Sequence, residues 1–142
     1  MKIEGWASVP EPDWAGHIVE PGAFAASIAR KGLGGPGGVK LVIKHDMGKP
    51  AGVITRLEQR NGGLWLEALL DEGISWSRDW AAAVRVNNGL NFSVGFFILD
   101  ADIVSRNGVE YLQIIRGELE EVSLVVEPAN PHAKMTKWED DA

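Results

Sequence analysis

The sequence predicts a mainly β protein with two inserted helices, of the α+β class, organised as a mostly antiparallel β-barrel that is closed or nearly closed and carries the helices at its periphery. Extended apolar runs separated by glycine- and asparagine-containing turns recur along most of the chain. Two of these turns, at 60–63 and 106–108, are too short for a crossover connection, so the strands they join must be antiparallel. The 142 residues are enough for one substantial core, and we predict one domain over residues 1–133 followed by a polar C-terminal tail, 134–142.

The first part of the chain is predicted to hold one strand and one helix. The strand covers Ile3–Val9. The helix covers residues 21–30, where Phe24 and Ile28 are four positions apart on one face. The stretch 32–38 is too rich in glycine for regular structure, and no Lys-Ser/Thr pair follows it, so it is predicted as a loop rather than a phosphate-binding site.

The middle of the chain predicts a strand, a hairpin and the second helix. The strand covers Val39–Lys44, and the hairpin pairs 52–59 with 64–70. The helix covers Ser75–Val86, where two tryptophans and a valine recur every four residues and form one apolar stripe.

The last part predicts a second hairpin. The chain is extended from Leu90, turns at 106–108 and returns as a long strand over Val109–Glu127. A glycine inside a strand weakens it, so a break is predicted near Gly117.

Composition excludes several kinds of site. The net charge of −6 argues against a nucleic-acid partner. The absence of cysteine removes disulfides, thiolate catalysis and zinc–thiolate centres. The apolar stretches are too short to span a bilayer, so no membrane partner is predicted. His45-Asp46 offers only two adjacent metal ligands, so we predict neither a metal site nor any other cofactor.

Ser93 is the first candidate for chemistry. It lies in an extended apolar run in which Phe92, Val94 and Phe96 share one face, whereas Ser93 and Gly95 share the other. A serine on a rigid strand with no bulk beside it is well placed to react with a substrate.

A nucleophilic serine needs a base, and the chain has three histidines. His17 lies next to a turn and His132 lies in a proline-flanked segment. His45 ends a strand, where tertiary folding can bring it to Ser93. His45 is therefore the candidate base.

A histidine base works best with a third group that fixes its tautomer. The apolar strand Glu118–Val126 offers Glu118, Glu120 and Glu121 for this purpose. Glu121 and Ser123 share one face of that strand. Chance also supplies a serine, a histidine and a glutamate on three strands in many domains, and the six tryptophans are compatible with a sugar-binding sheet.

Four separated segments resemble the signatures of one family, the tailed-phage (caudovirus) prohead maturation proteases. The four segments follow the family's order with similar spacing. The N-terminal segment is Gly5–Val9 with Ile18–Phe24, and the histidine segment is Leu41–Asp46 with Pro50 and Gly52. The serine segment is Asn91–Phe96, and the C-terminal segment is Glu118–Val125 with Pro128–Pro131.

The resemblance implies a fold related to the herpesvirus capsid-maturation protease. It also implies a Ser-His-Glu site in which Ser93 is the nucleophile, His45 the general base and Glu121 the group that orients His45. By analogy, the backbone amide of Ala129 or Asn130 is expected to stabilise the oxyanion.

The function implied is a serine endopeptidase of phage or prophage capsid maturation. Its expected substrates are the scaffolding portion of the major capsid protein precursor and the protease itself. It is expected to act inside the assembling prohead in the cytoplasm of the bacterial host, with self-association as a further expectation. The alternatives are an inactive capsid-assembly or scaffolding module with the same fold and a β domain that binds sugar or peptide.

Two loops are expected to regulate such a site. The glycine-rich loop 32–38 precedes the histidine strand, and the loop 128–131 follows the acidic strand. Both are expected to flank the site and to be mobile in the free protein, because glycine-rich backbone is entropically costly to order.

Overall fold

The computed structural model describes residues 1–140. The last two residues of the predicted C-terminal tail, 141 and 142, lie outside the described residues. The elements in chain order are β1 (Lys2–Ser8), β2 (His17–Val19), α1 (Ala25–Lys31), β3 (Lys40–Ile43), β4 (Asp46–Arg60), β5 (Gly63–Leu70), α2 (Ser75–Asn87), β6 (Asn91–Arg106), β7 (Val109–Val125) and β8 (Met135–Glu139).

Most of these elements lie where the sequence predicts them. Both helices and both antiparallel hairpins are confirmed. Two short strands were not predicted: β2, which runs parallel to β7, and β8, which pairs with β1 inside the segment predicted as a tail.

β7 continues through Gly117, so the predicted break is not an end of the strand. Its pairing with β6 does shift register beside this residue, between the pairs Gly117–Ile98 and Arg116–Asp100. A β-carbon at Gly117 would lie 2.7 Å from Cε1 of Phe24 in the segment leading into α1. The glycine therefore permits close packing rather than ending the strand.

Within residues 1–140, the strands form a single sheet of eight. Its order is β2-β7-β3-β4-β5-β1-β8, and β6 pairs with the other edge of β7. β2 and β3 run parallel to β7, whereas the remaining pairs are antiparallel. β7 is thus the central strand of the site, since β3 and β6 contact it on opposite edges.

The prediction of a closed or nearly closed barrel is wrong, because the sheet is not closed. Closure would need β8 to pair along β6. Among the described residues, one isolated bridge, Asn91 with Lys134, joins the start of β6 to the residue before β8. It is supported by hydrogen bonds from Phe92 N to the Ala133 carbonyl oxygen and from Met135 N to the Leu90 carbonyl oxygen, both at 2.9 Å. The five residues of β8 pair with β1 on one edge, and within residues 1–140 β6 beyond Phe92 is paired with β7 alone.

The core lies under the sheet, and apolar residues of both helices pack against it. Phe92, Leu119 and Leu124 are fully buried and come from the two strands that carry the candidate site. Ala81 and Val84 of α2 pack into the same cluster. Within residues 1–140, neither helix is long and apolar enough to cross a membrane.

Candidate active site

The register between β6 and β7 brings the polar faces of these strands together. Ser93 lies opposite Ser123, and Gly95 lies opposite Glu121. Adjacent residues of each strand point into the core, as the alternation of a strand requires. Ser93 is only 8% exposed, so its side chain is held in a rigid setting at the edge of the core.

His45 lies in the tight turn between β3 and β4. Ile43 pairs with Asp46, so the turn has two central residues, Lys44 and His45. Their φ angles are +50° and +60°, which is the left-handed region required by the hairpin turns that match strand twist. Because neither residue is glycine, the backbone is strained here, which is common at functional sites.

The three predicted side chains form one continuous chain of hydrogen bonds. His45 Nε2 lies 3.0 Å from Ser93 Oγ. His45 Nδ1 contacts Glu121 Oε1. The Glu121 side chain is 5% exposed, whereas that of His45 is 46% exposed and faces the open side. The geometry is that of a nucleophile, a base and an orienting carboxylate, and the catalytic roles of these residues stay predictions.

Ser123 is a member of this cluster that sequence reasoning placed beside Glu121 without giving it a role. Its Oγ donates to Glu121 Oε2 at 2.6 Å and accepts from the backbone N–H of His45 at 2.8 Å. The residue is fully buried. The signal in the sequence was its spacing of two from Glu121, which puts both on one strand face.

The neighbouring glutamates form ion pairs with other residues, although Glu120 also lines a groove together with His45 and Glu121. Glu118 pairs with Arg30, and Glu120 accepts a hydrogen bond from Lys31 Nζ at 2.8 Å. Both partners belong to the end of α1. Glu121 is therefore the one acidic residue of the three that contacts His45 among the described residues.

An open cleft of about 910 Å³ lies over Ser93 and His45. Its walls are largely apolar and include Trp14, Trp80 and Val126. Trp14 is 79% exposed, so a large aromatic surface is available beside Ser93. Such a surface can receive apolar groups of a ligand.

A second groove, of about 390 Å³, is lined by His45 and Glu121 and thus shares His45 with the first. Met47 and Phe97 line it and are more than half exposed. Since His45 borders both grooves, an extended chain crossing the site could occupy both.

The predicted oxyanion loop is beside the nucleophile. Ala129 lines the main cleft together with Ser93, and Asn130 follows it in the chain. The Ala129 carbonyl oxygen accepts a hydrogen bond from Trp14 N at 2.8 Å, which ties this loop to the segment before β2. Within residues 1–140, the amide nitrogens of Ala129 and Asn130 donate no hydrogen bond to the protein. An amide that stabilises an oxyanion must be free of other protein acceptors before the oxyanion forms, and both amides meet this condition.

The glycine-rich loop is not at the site. It precedes Lys40, the first residue of β3, whereas His45 follows the last one. The expectation that both loops flank the site therefore holds for 128–131 only. Neither His17 in β2 nor the exposed His132 hydrogen-bonds Ser93 within the described chain, and no group of three or more His, Asp or Glu residues there is arranged to hold a metal ion.

Comparison with known proteins identifies the family of the chain. The model of the caudovirus prohead serine protease family matches residues 2–141. The chain belongs to this family. The resemblance noted in the sequence is thereby confirmed, and the family is one of serine proteases.

Among solved structures, the chain is similar to the KSHV protease crystallised with a hexapeptide phosphonate inhibitor. The TM-score is 0.56 at 11% sequence identity, and the match covers 98% of this chain. This chain spans about 65% of the length of that protein. The likeness shows a shared fold, which is the fold that the sequence resemblance implied. A comparison with curated proteins finds no match.

Proposed function

We propose that this prohead-protease relative is a serine endopeptidase of Ser-His-Glu type. It cleaves the scaffolding portion of a major capsid protein precursor, and itself, inside the assembling prohead in the bacterial cytoplasm. The observation that carries the proposal is the hydrogen-bonded chain from Ser93 through His45 to the buried Glu121, placed on the floor of an open cleft.

The proposed reaction begins with attack of Ser93 Oγ on the scissile carbonyl carbon. His45 Nε2 takes the serine proton as the new C–O bond forms, and Glu121 stabilises the resulting imidazolium through Nδ1–H. The amides of Ala129 and Asn130 stabilise the oxyanion. The imidazolium then protonates the leaving amine, and water activated by His45 hydrolyses the acyl-enzyme.

The grooves support cleavage within a chain rather than at its end. The main cleft and the second groove both border His45, so a polypeptide can extend on both sides of the scissile bond. Their exposed apolar residues, Trp14 and Val126 on one side and Met47 and Phe97 on the other, favour a substrate with apolar side chains near the cleavage site. We also propose that self-association raises activity where the protein is concentrated, and that neither nucleic acid nor membrane takes part.

The test is chemical labelling at Ser93 combined with substrate processing. A fluorophosphonate probe is expected to modify Ser93, as located by mass spectrometry. Ser93→Ala should abolish both labelling and processing of a co-expressed capsid precursor, with a loss of ~10⁴–10⁶ in rate. Ser105→Ala changes an exposed serine of the same strand and serves as the matched control. Processing retained by Ser93→Ala would contradict the proposed mechanism, and a wild-type protein that never reacts would favour the inactive assembly module.

A further inference from the structure

We propose that Ser123 is a positioning residue for the reaction, which fixes the histidine turn and the buried carboxylate relative to each other. The inference rests on the proposed function. Ser123 is the cross-strand partner of Ser93 but makes no hydrogen bond to it among the described residues, and it does not line the cleft. It acts through His45 and Glu121, with which it makes its two shortest hydrogen bonds.

The direction of these hydrogen bonds follows from the chemistry of a hydroxyl group. Ser123 has one O–H proton and two lone pairs. A carboxylate oxygen can only accept and a backbone N–H can only donate. The hydroxyl proton therefore goes to Glu121 Oε2, and the oxygen accepts from His45 N–H, at 2.6 and 2.8 Å. The Ser123 side chain thus links the histidine turn to the Glu121 carboxylate, and the direction of each hydrogen bond is fixed by its partner.

The histidine turn needs such a partner. In a two-residue hairpin turn the amide of the second central residue is not part of the turn's own hydrogen bond. For His45 that amide points to Ser123 Oγ. The left-handed φ angles of Lys44 and His45 are unfavourable for residues with a β-carbon, so a hydrogen bond from inside the protein helps to hold them.

The carboxylate needs it as well. Glu121 is 4% exposed, and an unpaired buried carboxylate oxygen is costly. Ser123 satisfies Oε2, so Oε1 remains for His45 Nδ1. A proton on Nδ1 leaves the Nε2 lone pair directed at Ser93, which is the tautomer that a general base requires. Loss of the hydroxyl would free the carboxylate to rotate away from this arrangement.

A buried serine can also be purely structural, and Ser27 provides the matched case. It accepts a hydrogen bond from the backbone N of Leu119 at 3.0 Å and donates to the Phe24 carbonyl oxygen at 3.1 Å. It is 3% exposed and has no contact with His45 or Glu121 among the described residues. Ser27→Ala therefore removes the same kinds of bond at a place where they cannot affect the reaction.

The experiment compares the rates at which a fluorophosphonate labels Ser93 in folded, purified variants. Ser123→Ala is expected to lower the first-order inactivation rate roughly 10–100-fold while leaving the half-saturating probe concentration unchanged, because a misplacement on the order of 1 Å can cost 10²-fold. The Ser27→Ala variant is expected to be labelled at the wild-type rate, although its thermal midpoint should fall about as much as that of Ser123→Ala. In combination with Glu121→Gln, Ser123→Ala should add little, since the two act as one unit.

A second pair holds the side-chain volume constant. Ser123→Thr keeps the hydroxyl group, whereas Ser123→Val has a methyl group at the position of the threonine hydroxyl and is otherwise of the same size. The threonine variant should therefore be labelled faster than the valine variant. Equal rates for these two, or for Ser123→Ala and Ser27→Ala, would overturn the role of Ser123 while leaving the proposed function intact. Absence of labelling in the wild-type protein would instead overturn the proposed function and, with it, this inference.

Discussion

The carboxylate of Glu121 occupies the space that a side chain at Gly95 would need. The two residues are cross-strand partners, and a β-carbon built on Gly95 would lie 2.8 Å from Glu121 Cδ and closer still to Oε1. Glycine at position 95 is thus what allows a buried carboxylate to reach His45 across the face of β6.

Gly95→Ala is therefore expected to impair activity more than folding. The group that must move is the end of a flexible side chain, so the strand pairing can survive while the carboxylate is displaced from His45. We expect a roughly 10²-fold fall in turnover. Gly37→Ala is the control, because nothing lies within 4 Å of a β-carbon there. Wild-type turnover in a folded Gly95→Ala protein would contradict the assigned geometry.

Ser93 and His45 are expected to act as a unit. His45→Gln should lose activity about as severely as Ser93→Ala, and the double variant should be no worse than either. Initial rates of the two single variants and of the double variant check this, and additive losses in the double variant would show that the two residues act separately.

Glu118, Glu120 and Glu121 of β7 are expected to differ sharply in their effect on turnover. Glu121→Gln keeps the size of the side chain but removes the charge that stabilises the imidazolium, so turnover should fall, though by less than for Ser93→Ala. Glu118→Gln breaks the contact to Arg30 and should leave turnover unchanged, whereas Glu120→Gln breaks the contact to Lys31 at the second groove and should lower turnover less than Glu121→Gln does. A larger effect at either of these positions would show that the wrong carboxylate is assigned. Unfolding of Glu121→Gln would mark this residue as structural.

The loop 128–131 is expected to become ordered when the oxyanion forms. In the free protein the amides of Ala129 and Asn130 should exchange rapidly, since within residues 1–140 they donate no hydrogen bond to the protein. A phosphonate adduct at Ser93 presents an anionic oxygen and should protect them. Hydrogen exchange read by mass spectrometry tests this, with the distant loop 32–38 as an internal control. Strong protection of 128–131 before labelling, together with full activity at high dilution, would eliminate regulation by this loop.

Arg85 is expected to contribute to stability at neutral pH but not in acid. Its guanidinium hydrogen-bonds Glu72 at 2.9 Å and also contacts Asp140 after β8, and these bonds hold the pKa of both carboxyls below their usual range. A lowered pKa adds stability above the usual carboxyl range, and that stability is lost as pH falls through the lowered value.

The thermal midpoint of Arg85→Gln should thus lie slightly below that of the wild type at pH 7, and the difference should vanish once both carboxyls are protonated. Arg78→Gln on the same helix is the control. A difference between Arg85→Gln and wild type that persists in strong acid would show that Arg85 acts through packing instead.

The sequence by itself determined the local elements and the chemistry available to them. Alternation placed Ser93 and Gly95 on one face and Glu121 and Ser123 on another, because a strand has a period of two whatever its neighbours are. The short turns determined which consecutive strands are antiparallel. The four motif segments identified the family, as the family match over residues 2–141 confirms.

Only the tertiary structure decided which of these faces meet. The parallel pairing of β3 with β7 joins segments far apart in sequence, and no local pattern encodes it. The open sheet also escaped prediction, because closure depends on whether the free edge of β8 pairs along β6, and that is a long-range contact with no local pattern in the sequence. The selection of Glu121 over its neighbours, and the link through Ser123, depend on distances of a few ångströms across three strands, which long-range pairing alone establishes.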